Sequence, residues 1–355
     1  METSFVTNVG QRYPVADATQ VGAVRREAQT LAQDAGCSEV ATGELAIIVS
    51  ELASNLIKHG SGGELLLSRV LDDARVGIEV VAVDKGAGIA DLARSMTDGY
   101  STAGSLGVGL GAIARLAHEF DIYSRAGAGS AVMARVWATP IGRSASSSPY
   151  APMSQPQAAP SRSVRAGAIA VPKLGQDVSG DGWAMRDIDG VMVALLVYGL
   201  GYGPQAALTT ATAMRFFERC TKASPIDILN GLHVALKPTR GAVAAVAAMH
   251  PDTNTLRYAG VGNIGGVLIG SDGARRHLMS YDGTLGYQLR VVRETVYEWA
   301  PGNWFAMHSD GLSPRLDPVA YPGLSVCDPV IAASVLYRDF HRTHDDATIL
   351  VVNHS

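Results

Sequence analysis

One amphipathic segment, residues 44–59, constrains the fold of this chain more than any other stretch. Its sequence is ELAIIVSELASNLIKH, and its apolar side chains recur at the three- and four-residue spacing of a helix. They predict one buried face, made of Leu45, Ile48, Val49, Leu52 and Leu56. A second face carries Glu51 and Asn55, which lie one helical turn apart. This pair suits a small polar site, but it also occurs on ordinary solvated helix faces.

The side chains of the second face are of types that bind metal ions and transfer protons. Asn55 has a neutral oxygen for a hard cation such as Mg²⁺. Glu51 has a carboxylate that can accept a proton or hold a metal-bound water. Lys58 and His59 follow on the same stretch, and the sequence does not decide which of them contacts a phosphate. The helix alone does not identify a site, so its meaning depends on the segments that come after it.

Glycine-rich segments follow the helix in a fixed order. A strand-like run, VGIEVVAVD, ends in Asp84 and leads into a turn with Gly86 and Gly88. Residues 92–106 are small and polar and are predicted to form a short lid over a nucleotide. The next helix is entered through Gly104, Gly107, Gly109 and Gly111. A turn with Ser130 precedes the closing strand. Such glycines let backbone approach a ligand closely, and free N–H groups at a helix start bind phosphate.

The order of these motifs carries a resemblance to a known family. The chain contains, in this order, E-x-x-x-N, D-x-G-x-G, G-x-x-G-x-G-x-G and a strand. This order resembles that of the GHKL-type (Bergerat) ATP-binding domain of histidine kinases, gyrase and heat-shock chaperones. The stretch is most similar to the anti-sigma-factor and switch-protein serine kinases of bacterial partner switching. The resemblance implies an α/β sandwich over residues 1–139, with a mixed sheet that has helices on one face. It also implies serine/threonine kinase activity with ATP and Mg²⁺.

The same resemblance assigns roles to single residues. Asp84 accepts the adenine amino group, Asn55 holds Mg²⁺, and Glu51 acts as base toward a serine or threonine hydroxyl. The other nucleotide-binding residues that it implies are Lys58, His59, Gly86, Gly88, Gly104, Gly107, Gly109, Gly111 and Ser130.

Residues 140–163 differ in composition from everything around them. They consist mainly of Pro, Ser, Ala and Gln, contain no acidic residue and have little apolar bulk. This composition predicts a flexible linker. A chain of 355 residues suits two domains, so we expect a second domain over residues 164–355, which the linker allows to move relative to the first.

The second half has many strand-like segments and helical stretches in pairs, which predicts a layered α–β–β–α sandwich. Acidic residues stand at the ends of separate strands, namely Asp181, Asp310, Asp345 and Asp346. Carboxylates that converge from different strands can bind a pair of divalent ions, which activate water against a phosphoester. A single S-D-G is an ordinary turn, but three such positions in one domain favour a metal site.

Five motifs give this half its own resemblance. They are V-S-G-D at 178–181, G-L-G-x-G-P at 199–204, A-G-V-G-N-I at 259–264, S-D-G-L at 309–312 and D-D-A-T at 345–348. Together they resemble the type 2C metal-dependent serine/threonine phosphatases, most of all the bacterial sporulation and stressosome-feedback branch. The resemblance implies Mg²⁺ or Mn²⁺ held by Asp181, the Gly199 carbonyl, Asp310 and Asp345.

One position departs from the phosphatase pattern. The family has D-G-L-G-H-G where this chain has Tyr198-Gly199-Leu200-Gly201-Tyr202-Gly203. The family's aspartate bridges both metals, and a phenol with a pKa near 10 is a poor ligand at neutral pH. We therefore expect weak phosphatase activity or none, with one metal position retained between Asp310 and Asp345.

Together the two resemblances imply a bacterial partner-switching regulator. The expected substrate is a STAS-domain protein, either an anti-sigma-factor antagonist or a stressosome-type protein, and a sigma factor or another downstream regulator is a further partner. Two alternatives stay open: an ATP-binding module that sequesters a sigma factor beside a scaffold domain, and an enzyme that both phosphorylates and dephosphorylates its partner.

Composition excludes some partners and compartments. The net charge of −4 argues against binding to nucleic acid, which requires a basic surface. The three cysteines are far apart, so they predict a reduced, cytoplasmic setting. The N-terminus lacks the pattern of a signal peptide. Apolar runs such as GVMVALLVYGLG are too short to span a bilayer, so no membrane contact is expected.

Overall fold

The computed structural model of the protein describes residues 4–5, 9–72, 75–96, 109–138 and 164–355. The linker predicted at 140–163, most of the predicted lid, Gly104 and Gly107 lie outside the described residues. The N-terminal elements are β1 (Ser4–Phe5), β2 (Gln11–Val15), α1 (Ala18–Asp34), α2 (Glu39–His59), β3 (Gly63–Asp72), β4 (Arg75–Asp84), α3 (Leu92–Ser95), α4 (Leu110–Leu116), β5 (Glu119–Ser124) and β6 (Ser130–Trp137).

Helix α2 is the core helix of the N-terminal domain. It begins at Glu39, with Ser38 as its N-cap, and so starts earlier than the segment predicted from its motif. Its predicted apolar face is buried against the sheet and α1. At 21 residues α2 is also long and apolar enough to cross a membrane by length and composition. The prediction that every apolar run is too short was therefore wrong, although the apolar face of α2 is used within the core.

The N-terminal sheet has five strands in the order β2-β3-β4-β6-β5. All four strand pairs are antiparallel, so the expectation of a mixed sheet was wrong. Strand β4 is buried on both faces: Val80 packs toward α1 and α2, whereas Val81 and Val83 pack on the opposite side. A nearly continuous Val and Ile strand fits burial on both faces, and the opposite face must therefore be covered by another part of the chain.

The C-terminal elements confirm the predicted α–β–β–α sandwich. The strands are β7 (Val164–Val171), β8 (Asp181–Ile188), β9 (Val191–Gly199), β10 (Ala242–His250), β11 (Thr255–Val261), β12 (Gly265–Ile269), β13 (Arg275–His277), β14 (Ser280–Tyr281), β15 (Thr295–Glu298), β16 (Trp304–His308) and β17 (Ala347–His354). The helices are α5 (Pro204–Phe217), α6 (Pro225–Ala235) and α7 (Pro329–Phe340), with short 3₁₀ turns at Pro251–Thr253, Pro318–Ala320 and Leu324–Val326.

Two sheets stack face to face in this domain. One has the order β1-β8-β9-β10-β11-β14, with β15 also paired to β11, and the other has the order β13-β12-β16-β17-β7. Helices α5 and α6 cover the outer face of the first sheet. Helix α7 covers the outer face of the second sheet. Helix α7 approaches β7 closely at Gly167, where an added Cβ would lie 2.1 Å from the Val330 nitrogen.

Helix α7 also covers the open face of the N-terminal sheet. One apolar cluster contains side chains of α7, of the second C-terminal sheet, and of β3, β4, β5 and β6. Ten consecutive residues of the helix, Pro329–Arg338, are buried. The described parts of the chain therefore stack as α5/α6, sheet, sheet, α7, sheet and α1/α2. The two domains are packed against each other, a contact that the predicted linker alone did not require.

A charged cluster joins the two domains beside this apolar contact. Arg135 of β6 bonds Glu79 at 2.6 Å and Glu119 at 2.8 Å within its own domain, and lies 3.3 Å from Asp328, the N-cap of α7. Burial acts to raise the pKa of Asp328, but Arg135 and the other donors outweigh it and lower the pKa. Since a buried ion pair is costly to break, this cluster fixes α7 against the N-terminal sheet.

The first residues of the chain cross to the C-terminal domain. Strand β1 pairs with β8, with Ser4 opposite Arg186 and Phe5 opposite Met185. The Gly10 N–H donates to the Ala170 carbonyl at 2.7 Å. Among the described residues before α1, Gln11–Val15 join the N-terminal sheet as β2.

Candidate nucleotide and acid sites

Helix α2 presents the predicted catalytic pair to one side of the N-terminal domain. Glu51 and Asn55 are both partly buried, whereas Lys58 and His59 are exposed at the end of the helix. Burial raises the pKa of Glu51, and the nearby Lys58 opposes that shift. A carboxylate with a raised pKa accepts a proton more readily, as a general base must.

The turn that follows Asp84 packs against the end of α2. A Cβ added to Gly86 would lie 2.5 Å from the His59 carbonyl oxygen and 2.8 Å from the Gly60 Cα. Only glycine permits so close an approach. Asn55 lies one turn before His59, about 6 Å along the helix axis. The structure therefore brings the Asp84 turn and the polar face of α2 to the same end of the domain.

The Asp84 carboxylate has several polar partners. Its Oδ1 accepts a hydrogen bond from the Gly86 N–H at 2.7 Å. Burial raises the pKa of Asp84, while Gly86, Arg338 and Ser130 act in the opposite direction and favour the charged form. A partly buried carboxylate held by donors in this way can accept a further hydrogen bond from a ligand.

Gly88 and Ser130, two of the predicted nucleotide-binding residues, pack within the turn that follows Asp84 and its supports. Gly88 has a φ of 66°, and a Cβ there would lie 2.0 Å from the Arg125 carbonyl oxygen. Ser130 is buried, and its Oγ lies 2.9 Å from the Ser124 Oγ, which accepts from the Ile89 N–H at 2.8 Å. The packing of the turn therefore requires Gly88 whether or not a ligand is bound.

The glycine-rich helix entry is described only in part. Gly109 is the N-cap of α4 and makes no side-chain cap bond, and Gly111 is buried in the first turn. The first N–H groups of a helix lack partners within the helix, so this end is suited to an anion. Gly104 and Gly107 lie outside the described residues.

In the C-terminal domain Asp181 is a buried acid with one unsatisfied oxygen. It opens β8 and pairs across the sheet with Tyr198 of β9. Only 5% of the residue is exposed, and Oδ2 has no hydrogen-bond partner among the described residues. Burial raises the pKa of Asp181 to about 8, the carboxylates of Asp346 and Asp310 add to the rise, and Ser309 opposes it.

Tyr198 stands where the type 2C family has its bridging aspartate. Its hydroxyl donates a short hydrogen bond to the Asn263 Oδ1, and the Asn263 Nδ2 donates to the Asp310 Oδ2 at 3.3 Å. Burial, Asp310 and Asp181 all raise the pKa of Tyr198, so the phenol stays neutral. Asn263 was missed as a site residue, although it lies within the A-G-V-G-N-I motif.

The remaining predicted residues of this site differ in role. Asp346 accepts the N–H groups of Lys173 and Gly180, each at 2.7 Å, and so holds two loops together. Asp345 is exposed, and its Oδ1 accepts from the Asp346 N–H at 3.0 Å. Gly199 lies against α5, where a Cβ would meet the Ala206 carbonyl oxygen at 2.5 Å.

The grouping of these acids determines whether they can hold a metal ion. Among the described residues, no group of three or more His, Cys, Asp or Glu side chains is arranged to hold a metal ion. The phenol of Tyr198 donates a hydrogen bond to the Asn263 Oδ1. Burial raises the pKa of Asp310, and the nearby Asp345 raises it further. The site thus contains Asp310, whose pKa the nearby Asp345 raises, and the buried Asp181, whose pKa is also raised.

Two family models match the chain. Residues 15–136 match the histidine kinase-like ATPase domain, and residues 189–355 match stage II sporulation protein E (SpoIIE). The two matches lie on either side of the Pro- and Ser-rich segment. They agree with the two resemblances found from the motifs.

Two curated proteins of Bacillus subtilis (strain 168) are similar to this chain. The serine/threonine-protein kinase RsbT is 35% identical over 115 residues, which is 32% of this chain and 86% of that protein. The phosphoserine phosphatase RsbX is 24% identical over 141 residues, which is 40% of this chain and 71% of that protein. A structure from work on the bacterial stressosome as a modular system adapted to control secondary messenger signalling has a TM-score of 0.50 and 24% identity. It covers 54% of this chain and 99% of its own, and it supports the fold.

Proposed function

The chain belongs, through its N-terminal domain, to the histidine kinase-like ATPase domain family, and from this premise we propose that it is an ATP-dependent serine/threonine protein kinase. An RsbT-like half joined to an RsbX-like half indicates a partner-switching regulator. The substrate that we propose is a STAS-domain protein of an anti-sigma-antagonist or stressosome-type system in the cytoplasm. A sigma factor or another regulator acts downstream of it.

One observation carries this proposal. The Asp84–Gly86 turn packs directly on the end of α2, with Gly86 against the His59 carbonyl. The turn after Asp84 and the end of α2 therefore pack together, and this contact supports a common site. The partly buried Glu51, with its raised pKa, lies on the same helix.

Each residue then has a role in the transfer. ATP supplies the phosphoryl group, and a bound Mg²⁺ would reduce the repulsion between its phosphates and the incoming oxygen. Asp84 selects adenine, Asn55 provides the oxygen for the ion, and Glu51 takes the proton from the serine or threonine hydroxyl. Lys58 or His59, with the start of α4, contacts the phosphates.

We propose a different role for the C-terminal domain. Its Tyr198 is neutral and hydrogen bonded to Asn263, so the family's bridging carboxylate has no substitute there. We infer that phosphatase activity is weak or absent. The pair Asp310 and Asp345 is left to bind one Mg²⁺ or Mn²⁺ without turnover, and the domain then recognises the partner or regulates the kinase.

Phosphotransfer followed by a chase tests both halves of the proposal. The purified full chain is incubated with labelled ATP, Mg²⁺ and a cognate STAS-domain protein, and the ATP is then removed in the presence of Mn²⁺. We expect label on serine or threonine of the partner, and we expect it to persist during the chase.

The other outcomes separate the alternatives. Loss of label during the chase would mean that the chain also dephosphorylates its partner, which contradicts the role given to Tyr198. Binding of ATP and of the partner without transfer would favour the sequestering module over the kinase.

A further inference from the structure

We propose that Arg338, on α7 of the C-terminal domain, is a positioning residue of the nucleotide site. It fixes the Asp84 peptide so that the Asp84 carboxylate faces the amino group of adenine. The proposal deepens the proposed function and rests on it, because it takes Asp84 as the adenine-binding residue. It makes the phosphatase-like domain part of the ATP pocket of the kinase domain.

The contact itself crosses the domain boundary. The Arg338 Nη1 donates a hydrogen bond to the Asp84 carbonyl oxygen at 3.3 Å. The Arg338 side chain is 4% exposed, so water does not compete effectively for the guanidinium. The two residues are 254 positions apart in sequence.

The guanidinium is held rigidly in place. The neighbouring Asp339 accepts from the Arg338 Nε at 2.9 Å and from Nη2 at 2.7 Å, in a two-point arrangement. The Tyr321 hydroxyl donates to the same carboxylate at 2.8 Å. A planar fork that is anchored on one side holds its other N–H groups in fixed directions. One of them, on Nη1, points to the Asp84 carbonyl.

The Asp84 peptide is confined from the other side as well. A Cβ added to Gly129 would lie 2.0 Å from the Asp84 carbonyl oxygen, so the backbone of Gly129 lies against it. The Asp84 carboxylate also accepts a hydrogen bond from the Gly86 N–H, at 2.7 Å. A shift of the carbonyl would therefore rotate the side chain that is meant to meet the base. Arg338 also favours the charged form of that carboxylate.

A cavity lies at this contact. It has a volume of about 320 Å³ and is lined by Gly60–Glu64 and Val83–Lys85 from one domain and by Tyr337, Arg338 and His341 from the other. That volume is at the lower end of the range of small-molecule sites. Asp84 and Arg338 both line it, so a base that reaches Asp84 from this side would contact residues of both domains.

Two ligands that differ by one amino group test the proposal. Calorimetry on the full chain would give the Kd of ADP and of purine riboside 5′-diphosphate, which lacks the 6-amino group. We expect Arg338→Gln to weaken ADP binding about 10-fold, the order expected of one positioned hydrogen bond. The Kd of the analogue should change less than about twofold, because the analogue does not use the Asp84 carboxylate.

The matched control is Arg125→Gln. The Arg125 Nη1 also donates across the boundary, to the Ala320 carbonyl oxygen at 3.0 Å, but it does not touch Asp84. We expect this variant to leave both affinities unchanged. If Arg338→Gln fails to fold, Asp339→Asn keeps the guanidinium and loosens only its anchor, and a smaller loss of ADP binding is expected with the analogue again unaffected.

The outcomes are distinct. Equal losses for ADP and the analogue would make Arg338 a structural residue and overturn the proposal, as would no loss for either ligand. If the unmodified chain bound neither ligand, the proposed kinase function would fail as well. Binding of ADP without any selectivity change in Arg338→Gln would leave the kinase proposal intact and remove only this one.

Discussion

The nucleotide site and the acid site each place an aspartate at one end of a buried strand, but the two carboxylates have opposite surroundings. Asp84 closes β4 and receives the Gly86 N–H, with Ser130 and Arg338 also favouring its charge. Asp181 opens β8, and its Oδ2 has no partner among the described residues. Two other carboxylates raise the pKa of Asp181 further, to about 8.

The comparison teaches that keeping a motif is different from keeping a site. In the N-terminal domain Glu51, Asn55, Lys58 and His59 lie on α2, and Gly86, Gly88 and Ser130 lie in or beside the turn that follows Asp84. In the C-terminal domain the acids at the predicted positions are present, and Tyr198 stands beside them. Tyr198 donates a hydrogen bond to Asn263, and Asn263 donates one to Asp310, so a phenol and an amide lie among these acids.

The largest expected effect lies in the nucleotide site. We expect Glu51→Gln to slow phosphotransfer to the STAS-domain partner by about 10²- to 10⁴-fold, because the amide keeps the shape but cannot accept a proton. Single-turnover transfer measures the loss, and calorimetry with ADP should show an unchanged Kd. Glu44→Gln, on the same helix and outside the motif, is the control and should transfer normally. An unimpaired Glu51→Gln would remove the base from the proposed mechanism.

The acid site should respond in the opposite direction to a single substitution. We expect Tyr198→Asp to raise Mn²⁺-dependent hydrolysis of the phosphorylated partner by about 100-fold, because a bridging carboxylate allows two ions to bind and activate water. Release of phosphate from the labelled partner measures the gain. Tyr198→Phe also breaks the bond to Asn263 but adds no charge, so it should gain nothing. An inactive Tyr198→Asp would mean that the acids are too poorly placed for metals, with or without the phenol.

Much of the fold followed from local patterns. The periodicity of α2 predicted its buried face, and the strand and helix order predicted the C-terminal sandwich. Two sequence signals for the domain contact were also present: β4 is nearly continuous in apolar residues, and most of α7 is apolar, which is typical of buried elements. Neither pattern states which surface covers the other, because that depends on the packing of whole domains.

The site was predictable only where a motif carried it. Glu51, Asn55, Asp84 and Tyr198 stand in recognisable strings, and the family patterns gave them roles. The contact of Arg338 with Asp84 joins residues 254 positions apart, and Arg338 lies in none of the motifs. Asn263 belongs to a motif, but its role arises from the Tyr198 hydroxyl, which the family pattern does not contain. Such pairings require the three-dimensional arrangement.

The smallest effect that separates the two sites is the pH dependence of stability. Asp181, with a pKa raised to about 8, keeps its proton in the folded state where the unfolded chain, with an aspartate pKa near 3.9, has lost it. The folded state therefore binds more protons between about pH 4 and pH 8, and the free energy of unfolding falls as the pH rises through this window. Asp181→Asn removes this titration. The free energy of unfolding of the variant, measured in urea, should therefore rise relative to that of the wild type by about 1–3 kcal/mol between pH 5 and pH 9. Asp84→Asn should change the pH dependence of the free energy of unfolding in the same direction but less, because donors favour the charged form of Asp84. Equal slopes for the two variants would mean that Asp181 has a compensating partner, and the contrast between the sites would then rest on Tyr198 alone.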